Sequence, residues 1–135
     1  MLAPSAHNSR PWEFIAVTKR ETLNEIARFH PYAKMCETAT AAIIVVAIPQ
    51  SEGAEGFYPQ DCAAATQNIL LEAVSLELGS CWCGVYPKDE LISAVRNLLT
   101  IDEPKIPFCI IALGTPAAAP KQRGFFEESK VSYID

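Results

Sequence analysis

Residues Ala41 to Ile48 read Ala-Ala-Ile-Ile-Val-Val-Ala-Ile with no polar interruption. β-Branched residues favour extended backbone, and a strand with one wet face would alternate apolar with polar side chains. The run therefore predicts a strand covered on both faces, and so a layered fold with helices above and below a sheet. The apolar stretch around it, from Ala39 to Pro49 with Thr40 inside, is too short for a bilayer span, which takes about 20 helical residues. Half of the 135 residues are hydrophobic and a fifth are charged. That composition supports one domain, residues 1–135, with a sizeable core, and excludes a disordered chain.

Punctuation and periodicity place the other elements. Glu13 to Val17 reads as a short strand. Thr18-Lys19-Arg20-Glu21 has the spacing of a capping box, and Leu23, Ile26 and Ala27 follow at helical intervals until Pro31 stops the helix. Ser51 to Gly56 is a loop by composition. A long helix is expected from about Pro59 to Leu78. Its apolar positions run nearly all the way round, which predicts burial against the sheet and against a partner subunit. Gly79 stands where a left-handed helix cap belongs. Ser80 to Val85 reads as extended. A helix after Pro87 carries Leu91, Ile92, Val95, Leu98 and Leu99 on one face, and Pro107 opens a buried strand over Phe108 to Leu113. Strands alternating with helices predict a mixed α/β sheet.

Several function classes drop out. The net charge is −5 and no basic stripe forms, which argues against nucleic acid. His7 and His30 lack metal-ligand spacing, and no Gly-x-Gly-x-x-Gly or Gly-x-Ser-x-Gly is present. Met1 is not followed by a basic region and an apolar one, so a cytoplasmic protein with no membrane attachment is expected. The five cysteines have apolar flanks and read as buried, reduced thiols. Cys81 and Cys83 share a strand face, so a redox pair is the weaker alternative.

Three clusters carry candidate chemistry. The first is Ala3-Pro4-Ser5-Ala6-His7-Asn8-Ser9-Arg10-Pro11-Trp12, a polar loop stiffened by two prolines. On physics alone its side chains either satisfy the local backbone or face a ligand. The second is the small-residue helix Ala64-Ala65-Thr66-Gln67-Asn68-Ile69-Leu70-Leu71-Glu72-Ala73 with the following Leu78-Gly79-Ser80-Cys81-Trp82-Cys83-Gly84-Val85. The third is Gly114-Thr115-Pro116 followed by Lys121-Gln122-Arg123. In an extended tail the two cations project to one side; they form either a solvated face or a phosphate clamp.

Together these clusters resemble the FMN-dependent nitroreductase family over nearly the whole chain. The first resembles the family's A-P-S-x-x-N-x-[QR]-P-W loop and the second its A-A-x-x-N-x-L-L-x-A helix. The resemblance implies a three-layer α+β fold, a central mixed sheet flanked by helices, in an intertwined homodimer. It implies that Pro4, Ser5, Ala6 and Asn8 contact the flavin of the other subunit, and that Trp12 anchors the loop in the core. Cys83 and Gly84 match positions where a backbone N–H donates to flavin N5. Trp82 either lines the pocket or is a structural tryptophan. Lys121 and Arg123 match the basic pair that holds the FMN phosphate. The implied reaction is ping-pong: NAD(P)H passes hydride to the flavin, which then reduces a small acceptor such as a nitroaromatic or quinone.

The resemblance begins partway into the family pattern. Members start with a helical region bearing R-x-S-x-R, whose side chains hold the FMN phosphate and ribityl chain, whereas this sequence starts at Met1-Leu2-Ala3-Pro4. Each charge-assisted bond is worth roughly 1.5–3 kcal/mol, and without two or three of them this chain is expected to bind FMN poorly or not at all. A non-catalytic dimer module on the same fold is therefore the rival expectation. Another flavin reaction, such as flavin breakdown or reductive dehalogenation, ranks third.

Overall fold

The apolar run forms β2 (Ala41–Ala47), and it is covered on both faces as its composition requires. In the computed structural model, which describes residues 1–118 and 124–134, three further strands join it: β1 (Trp12–Val17), β3 (Gly79–Gly84) and β4 (Ile106–Gly114). The helices are α1 (Arg20–Phe29), α2 (Tyr58–Ser75) and α3 (Asp89–Leu99). Alternation along β2 divides the core in two. Ala42, Ile44 and Val46 pack with Leu23 and Ile26 of α1 and Ile92 and Val95 of α3. Val45 and Ala47 face the other way, onto Cys62 and Ala65 of α2. The result is three layers, with α1 and α3 below the sheet and α2 above it.

The sheet order is β1-β2-β4-β3, and every pairing among the described residues is antiparallel. The α+β layering agrees with expectation, but the mixed strand directions do not. A helix between two strands does not require a parallel pair: β1–α1–β2 and β3–α3–β4 each return to an adjacent antiparallel neighbour. β2 and β3 run the same way, with β4 between them, and β1 and β4 run the same way, with β2 between them.

Two local readings need correction. Lys19, not Thr18, caps α1, and no side chain completes a capping box. Arg20 instead reaches across to the carbonyls of Cys36 and Glu37, both at 2.9 Å, so a tertiary bond decides where the helix begins. At the end of α2 the left-handed residue is Glu77 (φ 58), not Gly79. Leu78 N–H donates to Ala73 O at 2.8 Å and Glu77 N–H to Val74 O at 3.0 Å, a Schellman pattern closing the helix two residues early. Gly79 has a different task. A Cβ there would stand 3.3 Å from Gly114 O and 3.4 Å from Pro116 Cα, so it allows the first turn of β3 to lie close beside the end of β4.

Candidate functional site

The opening loop is pinned to the first turn of α2. Asp61 is buried there, and its Oδ1 accepts the Ala6 N–H at 3.0 Å. Acidic residues suit a helix N-terminus, where the dipole is positive. Inside the loop, Arg10 N–H donates to Ser5 Oγ at 2.9 Å and Arg10 Nε donates to Asn8 Oδ1 at 3.2 Å. Those side chains satisfy the loop's own backbone and cation, while the Asn8 amide keeps its N–H donors. His7, Asn8 and Arg10 all take left-handed backbone, with φ of 51, 56 and 47. Such strain in one short segment persists only where surrounding contacts hold it. Trp12, 3% exposed, holds one end, with its Nε1–H donating to Met1 Sδ at 3.4 Å. Gly53 supports the other side: a Cβ there would come within 2.8 Å of His7 Cβ. Two buried oxygens near this junction, Ser9 Oγ and Asp61 Oδ2, have no protein partner among the described residues.

α2 and β3 run in opposite directions, so the Gly84 end of β3 returns to the same end of α2 as the loop. An aromatic chain joins them. Trp82 meets Phe108 at 6.2 Å between centroids, Phe108 stacks on Tyr86 at 6.1 Å, and Tyr86 meets Tyr58 edge-on at 5.9 Å. Tyr58 opens α2 one turn before Asp61. Burial, and then the neighbouring Tyr86, push the Tyr58 phenol up to about 12. Trp82 lies on the α2 face and is 38% exposed.

Cys83 points the opposite way, into the α1/α3 layer, where its thiol donates to Tyr32 O at 3.3 Å. Burial, then Cys81 beside it, push that thiol up to about 12. Backbone direction alternates as well. Val85 N–H donates to Phe108 O at 3.1 Å, so Val85 belongs to the ladder with β4. In an antiparallel pair, ladder residues recur every second position. Cys83, opposite Ile110, therefore turns its N–H toward β4, and Gly84 turns its N–H and carbonyl to the outer edge. The Gly84 carbonyl is met there by His30 Nε2 at 2.9 Å. A Cβ on Gly84 would meet no atom within 4 Å, so open space lies beside this residue.

The sequence model of the nitroreductase family matches residues 28–115. A protein of Methanothermobacter thermautotrophicus, provisionally named NADH dehydrogenase/NAD(P)H nitroreductase, is 46% identical over 131 residues, which is 97% of this chain and 69% of that protein. This chain belongs to the nitroreductase family. Its fold agrees with two solved nitroreductase-family structures. One, from Parabacteroides distasonis and provisionally named NADH dehydrogenase/NAD(P)H nitroreductase, has a TM-score of 0.93 at 34% identity, over 98% of this chain and 78% of that one. The other, an FMN-dependent nitroreductase of Clostridium difficile, has a TM-score of 0.87 at 27% identity, over 99% of this chain and 81% of that one.

Within this nitroreductase chain, the residues expected at the site fall into three groups. Pro4, Ser5, Ala6 and Asn8 share the strained loop on α2. Trp82, Cys83 and Gly84 lie on β3, an edge strand among the described residues, with Cys83 facing away from the other two. Lys121 and Arg123 lie outside the described residues. Sequence reasoning missed two residues. Asp61 had a signal, since it is the one acid in the first turn of a helix. His30 had none, because its partner lies 54 positions away.

Proposed function

We propose that this chain is an FMN-dependent oxidoreductase that takes electrons from NAD(P)H and delivers them to a nitroaromatic, a quinone or a similar small acceptor. The observation that carries the reading is Gly84: an edge-strand residue with an outward N–H and open space where a side chain would stand. A flat ring can lie against bare strand backbone only where no Cβ intervenes, so the residues present fit a flavin. When bound, the flavin supplies the redox chemistry, accepting hydride at N5 and returning electrons to the acceptor.

The chain's own residues bind and orient. The Gly84 N–H would hold the flavin at N5. The exposed edge of Trp82 walls the pocket. Pro4, Ser5, Ala6 and Asn8, in a loop held in shape by Asp61, would hold the flavin of a partner copy. Lys121 and Arg123 would supply the positive charge for its phosphate. Hydride transfer at N5 needs no general base from the protein.

The active form in this reading is a cytoplasmic homodimer. All five cysteines are free, which suits a reducing compartment. No helix among the described residues is long and apolar enough to cross a membrane. The outer side of α2 exposes Leu71 and Val74, and beside it runs a mostly apolar groove of ≈ 720 Å³ bounded by Phe14, Ile69, Leu76 and Leu78. Titration with FMN, followed by steady-state rates with NADPH or NADH and a nitroaromatic, tests the proposal. Flavin binding with parallel double-reciprocal lines is expected; a chain that leaves FMN fluorescence unchanged at saturating concentrations refutes it.

A further inference from the structure

His30 is the C-cap of α1, only 2% exposed, and both ring nitrogens are engaged. Tyr32 N–H donates to Nδ1 at 3.2 Å. That bond requires a bare Nδ1, so the ring proton sits on Nε2 and is donated to Gly84 O at 2.9 Å. The same turn makes a second clip on β3, where the Cys83 thiol donates to Tyr32 O at 3.3 Å.

We infer that His30 is a positioning residue that fixes the Gly84 amide in the orientation the proposed flavin requires. Glycine has the widest backbone freedom of any residue, and Gly84 ends the last paired stretch of an edge strand. Its two flanking peptide groups are held differently. The preceding peptide is tied to β4 through Cys83. The following one is tied by Val85 N–H on Phe108 O at 3.1 Å and by His30 on the Gly84 carbonyl. Without His30, that second peptide is held from one side only, so the ψ of Gly84 is less restrained, and the first peptide, which carries the Gly84 N–H, loses one of the two fixed points between which it is set. The His30 bond thus couples the end of α1 to the atom that faces N5.

The inference rests on the FMN reading above, and two substitutions separate its parts. His30→Asn retains an acceptor near Nδ1 for Tyr32 N–H but has no donor that reaches Gly84 O. His30→Gln places an amide N–H near Nε2 and gives up the Tyr32 bond. The readouts are FMN titration, the flavin midpoint potential, and amide hydrogen exchange over residues 79–86 without cofactor. His30→Asn is expected to weaken FMN about tenfold, shift the potential and speed exchange at Val85, whose N–H shares a peptide with the Gly84 carbonyl, whereas His30→Gln stays within a few-fold of the parent chain. Equal FMN affinity and potential in parent and His30→Asn overturns the inference alone. So does a folded His30→Gln that behaves like His30→Asn, which keeps the test decisive should the asparagine variant not fold. A parent chain that binds no FMN overturns the cofactor reading and the inference together.

Discussion

Gly84 and Cys83 are neighbours in sequence with opposite tasks, because strand geometry sends successive side chains to opposite faces and successive N–H groups to opposite edges. Cys83 fills the lower core and belongs to the β4 ladder; Gly84 presents bare backbone outward. This division predicts a clean separation of folding from binding. Gly84→Val adds a β-branched side chain to a strand where a Cβ meets nothing within 4 Å. Its melting temperature should therefore stay close to the parent's while FMN binding is lost, as read by thermal unfolding beside a flavin titration. A valine variant that still binds FMN at parental affinity would remove Gly84 from the site.

The join between α2 and β3 sets the distance from the long helix to the edge strand. Glu77 there adopts left-handed backbone, which costs an L-residue with a Cβ about 1 kcal/mol relative to glycine. Glu77→Gly is expected to raise the free energy of unfolding by about that amount, read as a higher urea midpoint at unchanged slope. Gly79→Ala should do the reverse, by about 1–3 kcal/mol, since its Cβ would press on backbone at Gly114 and Pro116 rather than on a movable side chain. If the alanine variant proves as stable as the parent, the close approach of β3 and β4 is not a constraint.

Across the whole molecule, four buried thiols divide between the two core layers, Cys36 and Cys83 in one and Cys62 and Cys109 in the other, and three of them are shifted furthest. Burial is the main cause that pushes Cys62, Cys83 and Cys109 up to about 12, against an ordinary value of 9.0. The folded chain then keeps protons that the unfolded chain releases. Stability from this source is complete below about pH 9 and is lost as pH rises toward 12, by up to about 1.4 kcal/mol per pH unit for each thiol. Urea unfolding across that window should show the decline, and replacing the three with alanine should flatten it; a flat parental profile contradicts the assignment. The same scale governs assembly. Leu71 is 59% exposed and Val74 71% exposed on the outer side of α2. The proposed homodimer would cover them, so the parent should sediment at twice the mass of one chain. Leu71→Glu with Val74→Glu should sediment as a single chain with unchanged helix content.

Local pattern was enough to specify the elements. The unbroken run at 41–48 reads as a doubly covered strand because no polar residue could face solvent from it. The stripe of Leu91, Ile92 and Val95 reads as a one-sided helix because 3.6-residue periodicity is written in the chain. The opening loop and the Trp82-Cys83-Gly84 strip were legible as site candidates through their family resemblance. Strand direction, the helix ends at Lys19 and Glu77, and the tasks of Asp61 and His30 were not legible. The Glu77 end is closed by local bonds to Ala73 and Val74 that no glycine announces; the others depend on a partner far along the chain: Cys36 for Arg20, Ala6 for Asp61, Gly84 for His30. Propensity and periodicity act over a few residues, whereas these bonds exist only after the layers have packed.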